Sequence, residues 1–174
     1  MWFLLVLPFI ALIAAGVLVP LVLPKSVFYR DGRPTRAGRI ANRTSEWYAA
    51  AGGPPSWQVS LETRGRKSGR PIRTVLGVAR QDDQDYLVSM LGERSAWVHN
   101  VRAAGGQAVI RHGRKRRVHL EEIPPSERAS VLKAYCARAR SGRRHFLPLT
   151  PDSSIGEFAA VADQYPVFRI ADVK

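Results

Sequence analysis

The segment PIRTVLGVARQDDQDYLVSML, residues 71–91, is the clearest guide to the architecture of this chain. Its two runs, at 71–80 and 85–91, are rich in β-branched, aromatic and other apolar residues. The QDDQ sequence between the runs has the polar composition of a hairpin turn. This stretch therefore predicts two neighbouring antiparallel strands.

Other strand patterns lie on both sides of this hairpin. The segment WQVSLET, residues 57–63, alternates apolar and polar side chains and predicts a strand with one buried face. The segment QAVIRHGRKRRVHLEEI, residues 107–123, predicts a second hairpin that turns at His112 and Gly113. The segment YPVFRI, residues 165–170, predicts a last short strand.

Two segments have helical patterns. In SAWVHNVRAAGG, residues 95–106, Ser95 is a candidate N-cap and Gly105 a stop signal. In PPSERASVLKAYCARARSG, residues 124–142, proline marks the start, Gly142 marks the end and the apolar residues form a stripe. Without strand–helix–strand alternation, the pattern predicts an α+β fold, a small antiparallel barrel with helices covering its ends.

The chain is strongly basic, with 27 Lys and Arg against 14 Asp and Glu and a net charge of +13. This balance favours anionic partners such as phosphate groups, nucleic acid, acidic lipid or an acidic ligand. The excess of Arg over Lys is equally consistent with a GC-rich coding sequence. The basic run at 114–117 lacks interleaved aromatic residues for base stacking, so nucleic acid is the less favoured partner.

An uncharged apolar segment, residues 2–24, opens the sequence. As a helix it would span about 34 Å, enough for a bilayer core of about 30 Å. A cleaved signal peptide is the alternative, but no basic residue precedes Lys25 and no small-residue cleavage site follows the apolar run. Basic residues follow at once, so the positive-inside rule predicts a single-pass anchor with the remainder on the cytoplasmic side of the cell membrane.

The sequence therefore divides into an anchor at 1–24, a basic juxtamembrane helix and linker at 25–56, and a barrel domain at 57–174. In the juxtamembrane segment Arg36, Arg39 and Arg43 are predicted to share one helix face, with Ile40 and Trp47 on another. The arginine face is compatible with anionic lipid headgroups, and equally with a solvated linker helix.

The loop ETRGRKSGRPIRT, residues 62–74, concentrates basic residues between glycines. It is not a nucleotide-triphosphate P-loop, because Arg66 stands where that motif needs glycine. The loop can still bind an anion, since Gly65 and Gly69 let backbone N–H groups face a ligand while Arg66, Lys67 and Arg73 supply charge. The alternative is a solvated hairpin turn with ordinary basic residues.

Conventional catalytic patterns are missing from the sequence. The four histidines, His99, His112, His119 and His145, have no metal-ligand spacing, so no metal site is predicted. Cys136 is the single cysteine, which excludes an intramolecular disulfide, and we expect it in the core.

Several of these segments together resemble the deazaflavin-dependent nitroreductase and quinone reductase family of actinobacteria. They are LETRGRKSGRPIRTVLGV, YLVSMLG, SAWVHNVRAAG, the basic hairpin and ERASVLKAY, and the resemblance covers roughly residues 57–150. It implies a split β-barrel of the FMN-binding type, coenzyme F420 as cofactor and hydride transfer to a quinone or nitro-type acceptor.

The resemblance also assigns site residues. The negatively charged tail of F420 would be held by Arg66, Lys67, Ser68, Gly69 and Arg73. Val75 and Leu76, in the strand at 74–78, would back the deazaflavin ring through main-chain groups. Other residues would line the rest of the groove: Ser89, Leu91, Gly92, Ser95, Trp97 and Asn100. Tyr135 is the candidate proton donor or substrate contact, with a core aromatic as the alternative.

Departures from the family pattern leave other functions open. The segment between Gly92 and Trp97 is short, and Val98 stands where an aromatic residue is common. The alternatives are a split barrel that binds FMN or haem, and a basic membrane-associated protein without chemistry. Split barrels often form homodimers, so a homodimer is a further expectation by analogy of fold.

Overall fold

The computed structural model describes residues 29–30, 33–139, 145–146 and 148–173. The chain divides into two compact units, residues 1–48 and residues 49–174. The predicted anchor at 1–24 lies outside the described residues. Among the helices that are described, none combines the length and the apolar character needed to cross a bilayer.

In the first unit, two very short strands, β1 (Tyr29–Arg30) and β2 (Arg33–Pro34), pair antiparallel and precede helix α1 (Arg36–Ala50). Thr35 caps this helix, because its side-chain oxygen accepts a 3.0 Å hydrogen bond from the Gly38 N–H.

The side chains of α1 differ from the prediction of two separate faces. Ile40 is 69% exposed and Trp47 is 53% exposed. Each lies four residues after an exposed arginine, Arg36 or Arg43, and residues four apart are neighbours on a helix surface. Apolar and basic side chains therefore share one exposed side of α1.

In the second unit, six strands close into an antiparallel barrel. They are β3 (Gln58–Arg64), β4 (Pro71–Gln81), β5 (Gln84–Val88), β6 (Gln107–His112), β7 (Arg114–Glu122) and β8 (Val167–Asp172). The order around the barrel is β3-β4-β5-β8-β7-β6, and pairing of β3 with β6 completes the circle. Both predicted hairpins are confirmed, and Asp82 and Asp83 form the first turn with the positive φ angles that two-residue hairpins use.

The two ends of the barrel differ. The connection between β3 and β4, residues 65–70, lies at one end, which we call the loop end. Because neighbouring strands run antiparallel, the turns at Asp82–Asp83 and at Gly113 lie at the opposite end, which we call the turn end.

The barrel interior is filled by alternate residues of the strands and by helix α2 (Ala96–Ala103). Val59 and Leu61 of β3 point inward, as the alternation predicts, and the Trp97 ring of α2 packs 5.2 Å from the Phe168 ring of β8. Helix α2 is therefore part of the core, and Trp97 is only 5% exposed.

A second apolar cluster lies between the barrel wall and the later helices. Helix α3 (Pro125–Arg138) packs against β4, and α4 (Ile155–Ala159) packs against α3. The predicted apolar stripe of α3 is buried, as is Cys136. The helix ends at Arg138, before the predicted stop at Gly142, which lies outside the described residues. The α+β antiparallel barrel with flanking helices is thus confirmed.

Candidate functional site

A groove with a volume of about 1310 Å³ lies at the loop end of the barrel unit. The loop between β3 and β4 forms one wall, and the end of α2 with the outer side chains of β6 and β7 forms the rest. Its polar lining consists of Glu62, Thr63, Arg64, Arg66, Lys67, Ser68, Gln107, Arg117 and His119. The volume exceeds the roughly 300–1,000 Å³ of sites for drug-sized ligands, so an extended ligand fits.

The charge of the groove is positive. Four cations line it, Arg64, Arg66, Lys67 and Arg117. The carboxylate of Glu62 also lines it, but it accepts a 2.8 Å hydrogen bond from Arg73 and a 3.1 Å hydrogen bond from Arg111. The hydrogen bond from Arg73, with the charge of Arg111, holds the Glu62 pKa below its usual value. The acid is therefore neutralised by arginines of the two neighbouring strands, while the four cations remain for a polyanion.

The loop that carries the cations is a closed turn. The Gly65 N–H donates to the Arg70 carbonyl at 2.9 Å, and the Gly69 N–H donates to the Gly65 carbonyl at 2.7 Å. A Cβ at Gly65 would lie 2.8 Å from the Ile72 side chain, and Gly69 has a φ of +66°. The φ angle favours glycine at position 69, whereas a Cβ at Gly65 would displace the ends of the Ile72 and Ser68 side chains. The side chains between the two glycines are exposed.

Asn100 fastens this loop to helix α2. Its side-chain oxygen accepts a 3.2 Å hydrogen bond from the Arg66 N–H and a 3.4 Å bond from the Arg66 guanidinium. Its amide nitrogen donates to the Thr63 hydroxyl at 3.4 Å. Asn100 is only 2% exposed. It therefore lies beneath the loop and holds the Arg66 backbone in place.

A second predicted segment, residues 89–95, uses its polar groups internally. The Ser89 hydroxyl donates to the Gly92 carbonyl at 2.8 Å, and it shares a 2.6 Å hydrogen bond with the Ser95 hydroxyl. A Cβ at Gly92 would lie 2.6 Å from the Gln164 carbonyl oxygen. Both serines are buried, whereas Leu91 is 49% exposed.

The structure thus gathers only part of the predicted set. Arg66, Lys67, Ser68 and Gly69 line the groove together. Arg73 does not line the groove and is paired with Glu62. Val75 and Leu76 are half-buried on β4 beside β3. The other five predicted residues at 89–97 and Asn100 do not line the groove.

Tyr135 lies in the cluster under α3, outside the groove. It is 3% exposed, and its hydroxyl donates a 3.3 Å hydrogen bond to the Met90 sulfur. Burial raises the Tyr135 pKa to about 12. At neutral pH the hydroxyl is therefore protonated and has an internal partner.

The sequence reasoning missed Arg64, Arg117 and His119 as groove residues. A signal for the last two was present, because they alternate with the inward-facing Val118 and Leu120 on β7. The pairing of β3 with β6 brings the outer faces of β6 and β7 beside the loop. No local sequence pattern predicts that pairing. Among the described residues, no cluster of His, Cys, Asp and Glu could hold a metal ion.

Residues 40–146 match the model of the F420H(2)-dependent quinone reductase family. No curated protein sequence matches the chain. Among solved structures, a protein of unknown function from Agrobacterium tumefaciens is similar, at 15% identity and a TM-score of 0.46. That similarity covers 66% of this chain and 47% of the Agrobacterium protein, so the chain spans about half of it.

Two further solved structures are similar. An F420-H2 dependent reductase, FDR-A, has 18% identity and a TM-score of 0.43, over 66% of this chain and 94% of its own. A FAD-binding protein from Mesorhizobium loti has 15% identity and a TM-score of 0.43, over 75% and 88%. Similarities as weak as these add nothing to the family match.

Proposed function

The chain belongs to the F420H(2)-dependent quinone reductase family, and we propose that it reduces a membrane-dissolved quinone at the cytoplasmic face of the cell membrane. It is an F420-dependent oxidoreductase, and coenzyme F420 is its cofactor. The substrate, the membrane location and the roles of individual residues are the proposed parts.

The observation that carries the proposal is the charge of the loop-end groove. Coenzyme F420 has a phosphate and several glutamates in its tail, and four cations line a groove whose only described acid is neutralised. Charge-assisted hydrogen bonds from such cations are about twice as strong as neutral ones. Arg66, Lys67, Ser68 and Gly69 hold the tail in this proposal, joined by Arg64 and Arg117, while Arg73 acts through Glu62.

The chemistry fits a two-electron acceptor. Bound reduced F420 supplies a hydride, which carries two electrons together. A quinone that accepts a hydride needs one proton to become a hydroquinone, so the balance is complete without a metal. The protein then has to position the acceptor and exclude competing water. Strand β4, with Val75 and Leu76, and the exposed Leu91 are proposed to face the reacting end of this complex.

Tyr135 stays the candidate proton donor of the proposal. Its pKa of about 12 keeps the hydroxyl protonated at neutral pH. Delivery of that proton needs the hydrogen bond to Met90 to open, because the hydroxyl is enclosed in the described conformation. The Tyr135→Phe variant distinguishes the two roles of this residue, because it removes the proton and keeps the aromatic ring.

The membrane part of the proposal has two supports. The first is the apolar segment at 2–24, followed by basic residues. The second is the exposed side of α1, where Ile40 and Trp47 lie beside arginines. Trp is favoured at membrane interfaces and arginines are attracted to anionic headgroups. A protein confined to the surface meets a lipid-dissolved acceptor at raised effective concentration.

The experiment compares two forms on two quinones. The full chain in liposomes and the compact unit at residues 49–174 are given reduced F420 with a long-tailed menaquinone or with a short-tailed, soluble quinone. We expect similar rates on the soluble quinone and a faster rate of the full chain on the long-tailed one. Inactivity of both forms on every quinone, with F420 bound, would exclude quinones as acceptors.

Topology is tested separately. In intact cells the barrel unit should resist external protease and become sensitive only after lysis. Mass spectrometry should find the apolar segment still attached. A mature N-terminus near Lys25 would instead show that the segment is a cleaved signal.

A further inference from the structure

A second cavity lies at the turn end of the barrel, opposite the end that carries the loop. Its volume is about 390 Å³. The inward-facing Val59, Val78, Ile110 and Ile170 form an apolar floor, with Trp57 beside them. The rim is polar and mostly basic: Arg80, Asp85, His112, Arg114, Arg116 and Arg138. We call this cavity the basic mouth.

The rim cations are of two kinds. Arg80 bonds Asp83 at 3.2 Å, and Arg116 bonds Asp172 at 2.8 Å, so carboxylates hold both guanidinium groups in place. Arg114 and Arg138 are exposed and make no side-chain hydrogen bond or ion pair with any described residue. These two cations are free to bind an anion.

His112 has a ring nitrogen that lacks a hydrogen bond. Its Nδ1 atom is buried and has no hydrogen-bond partner among the described residues. An unsatisfied buried polar group costs about 1–3 kcal/mol. The ring lines the cavity, and a ligand oxygen would satisfy this atom once the ring turns Nδ1 toward the mouth.

The rim beside His112 is hydrogen-bonded to the end of helix α1. The Gly113 N–H donates a 2.9 Å hydrogen bond to the Ala50 carbonyl. A Cβ at Gly52 would lie 3.0 Å from the Gly113 nitrogen, so the two segments are in close contact. The neighbours of Gly113, His112 and Arg114, are therefore held in place before any ligand arrives, which lowers the entropic cost of binding.

We infer that the basic mouth is a second anion site, which binds a phosphate group independently of the cofactor groove. Planar guanidinium groups match the oxygens of phosphate in pairs, and several of them surround this cavity. Its volume is at the lower end of small-molecule sites, which suits a phosphate with a short alcohol substituent lying on the apolar floor. Both a phospholipid headgroup and a soluble phosphomonoester have this chemistry.

The test uses the full chain in nonionic detergent. The ligands are inorganic phosphate, glycerol 3-phosphate and dihexanoyl-phosphatidylglycerol below its micellar concentration. Binding is followed by the indole N–H resonance of Trp57, which lines the mouth, assigned with Trp57→Phe. We expect at least one ligand to shift this resonance saturably, and Arg114→Gln/Arg138→Gln to weaken that binding about tenfold or more.

The matched control removes two cations from the other end. Arg66→Gln/Lys67→Gln should leave binding at the mouth within about twofold, because the charge change is the same but the site is not. Arg114→Lys/Arg138→Lys should retain part of the affinity, since the charges remain and the paired guanidinium donors are lost.

The three ligands distinguish a phospholipid headgroup from a soluble phosphate as the natural ligand. Equal binding of all three supports a site for soluble phosphates, and binding of the lipid alone supports a headgroup site. Either result supports the phosphate chemistry. The inference is overturned if no ligand shifts the Trp57 resonance, or if Arg114→Gln/Arg138→Gln binds as well as the unchanged protein while remaining folded. Neither result bears on F420 binding in the groove.

Discussion

Two polar segments at the barrel, residues 65–69 and residues 89–95, contrast in how they use their side chains. In the first, the backbone closes the turn, and the side chains between Gly65 and Gly69 are exposed to the groove. In the second, Ser89 and Ser95 bond each other and the Gly92 carbonyl, and both are buried. A polar segment can thus bind a ligand or stabilise the fold. The partners of its hydrogen bonds in the structure distinguish the two cases.

The largest expected effect concerns the first segment. Arg66→Ala/Lys67→Ala should weaken F420 binding about hundredfold, since two charge-assisted contacts of about 1.4 kcal/mol each are lost. Binding to the unchanged protein should also weaken as salt rises. Isothermal titration measures both effects. The control is Arg114→Ala/Arg138→Ala, and an unchanged affinity in the loop variant would mean that the loop is a solvated turn.

The second segment should respond in stability rather than in affinity. Ser89→Ala leaves the buried Ser95 hydroxyl without its partner, which should lower the free energy of unfolding by about 2 kcal/mol. Affinity for F420 should stay within about threefold. Chemical denaturation and titration of the unit at residues 49–174 test this. A large loss of affinity at unchanged stability would place Ser89 against the cofactor and remove the contrast.

Substitution of Asn100 should affect both F420 affinity and stability, because this residue is buried and also holds Arg66, which lines the groove. Asn100→Ala should weaken F420 binding about tenfold by releasing the Arg66 backbone, and it should also destabilise the fold by about 1 kcal/mol. In the Arg66→Ala/Lys67→Ala background the same change should have little further effect on affinity. Full additivity of the changes in a double-mutant cycle would show that Asn100 acts elsewhere.

Substitution of Glu62 tests whether its negative charge lowers the positive electrostatic potential of the groove. Glu62→Gln removes the negative charge that faces Arg73 and Arg111, so F420 affinity should rise about threefold at neutral pH. The folded-state pKa of Glu62 is lowered by Arg73, so its stabilising effect is present above the unfolded pKa and is lost as pH falls through the folded pKa. The stability difference between the two proteins should therefore shrink below about pH 4.5. A constant difference down to pH 2 would contradict the ion pairs.

The smallest effect on stability is expected at Tyr135, a third polar group that is bonded internally. Tyr135→Phe removes only a weak bond to sulfur, so stability should change by less than about 1 kcal/mol. If Tyr135 is a core aromatic, kcat for quinone reduction is unchanged. A fall in kcat of at least tenfold, at unchanged F420 affinity, would identify it as the proton donor.

The sequence was sufficient for the barrel but only partly sufficient for the site. Alternation and turn residues located the strands, because these signals are local, and the QDDQ turn is a direct example. The groove needed long-range information. Arg117 reaches it only because β6 pairs with β3, and Gly92 is enclosed because the Gln164 carbonyl approaches it from much later in the chain. No local pattern encodes such contacts.

The position of strand β8 has a consequence for how the protein is made. It lies between β5 and β7, and the other five strands of the barrel precede it in the chain. During synthesis, β5 and β7 each expose an unpaired edge until residues 167–172 emerge from the ribosome. Exposed edges can pair with other chains, so this interval is when we expect aggregation and chaperone binding. A nascent chain arrested before residue 167 should be captured by a chaperone. A chain arrested on an added C-terminal linker, long enough to carry residues 167–172 out of the ribosome, should escape it.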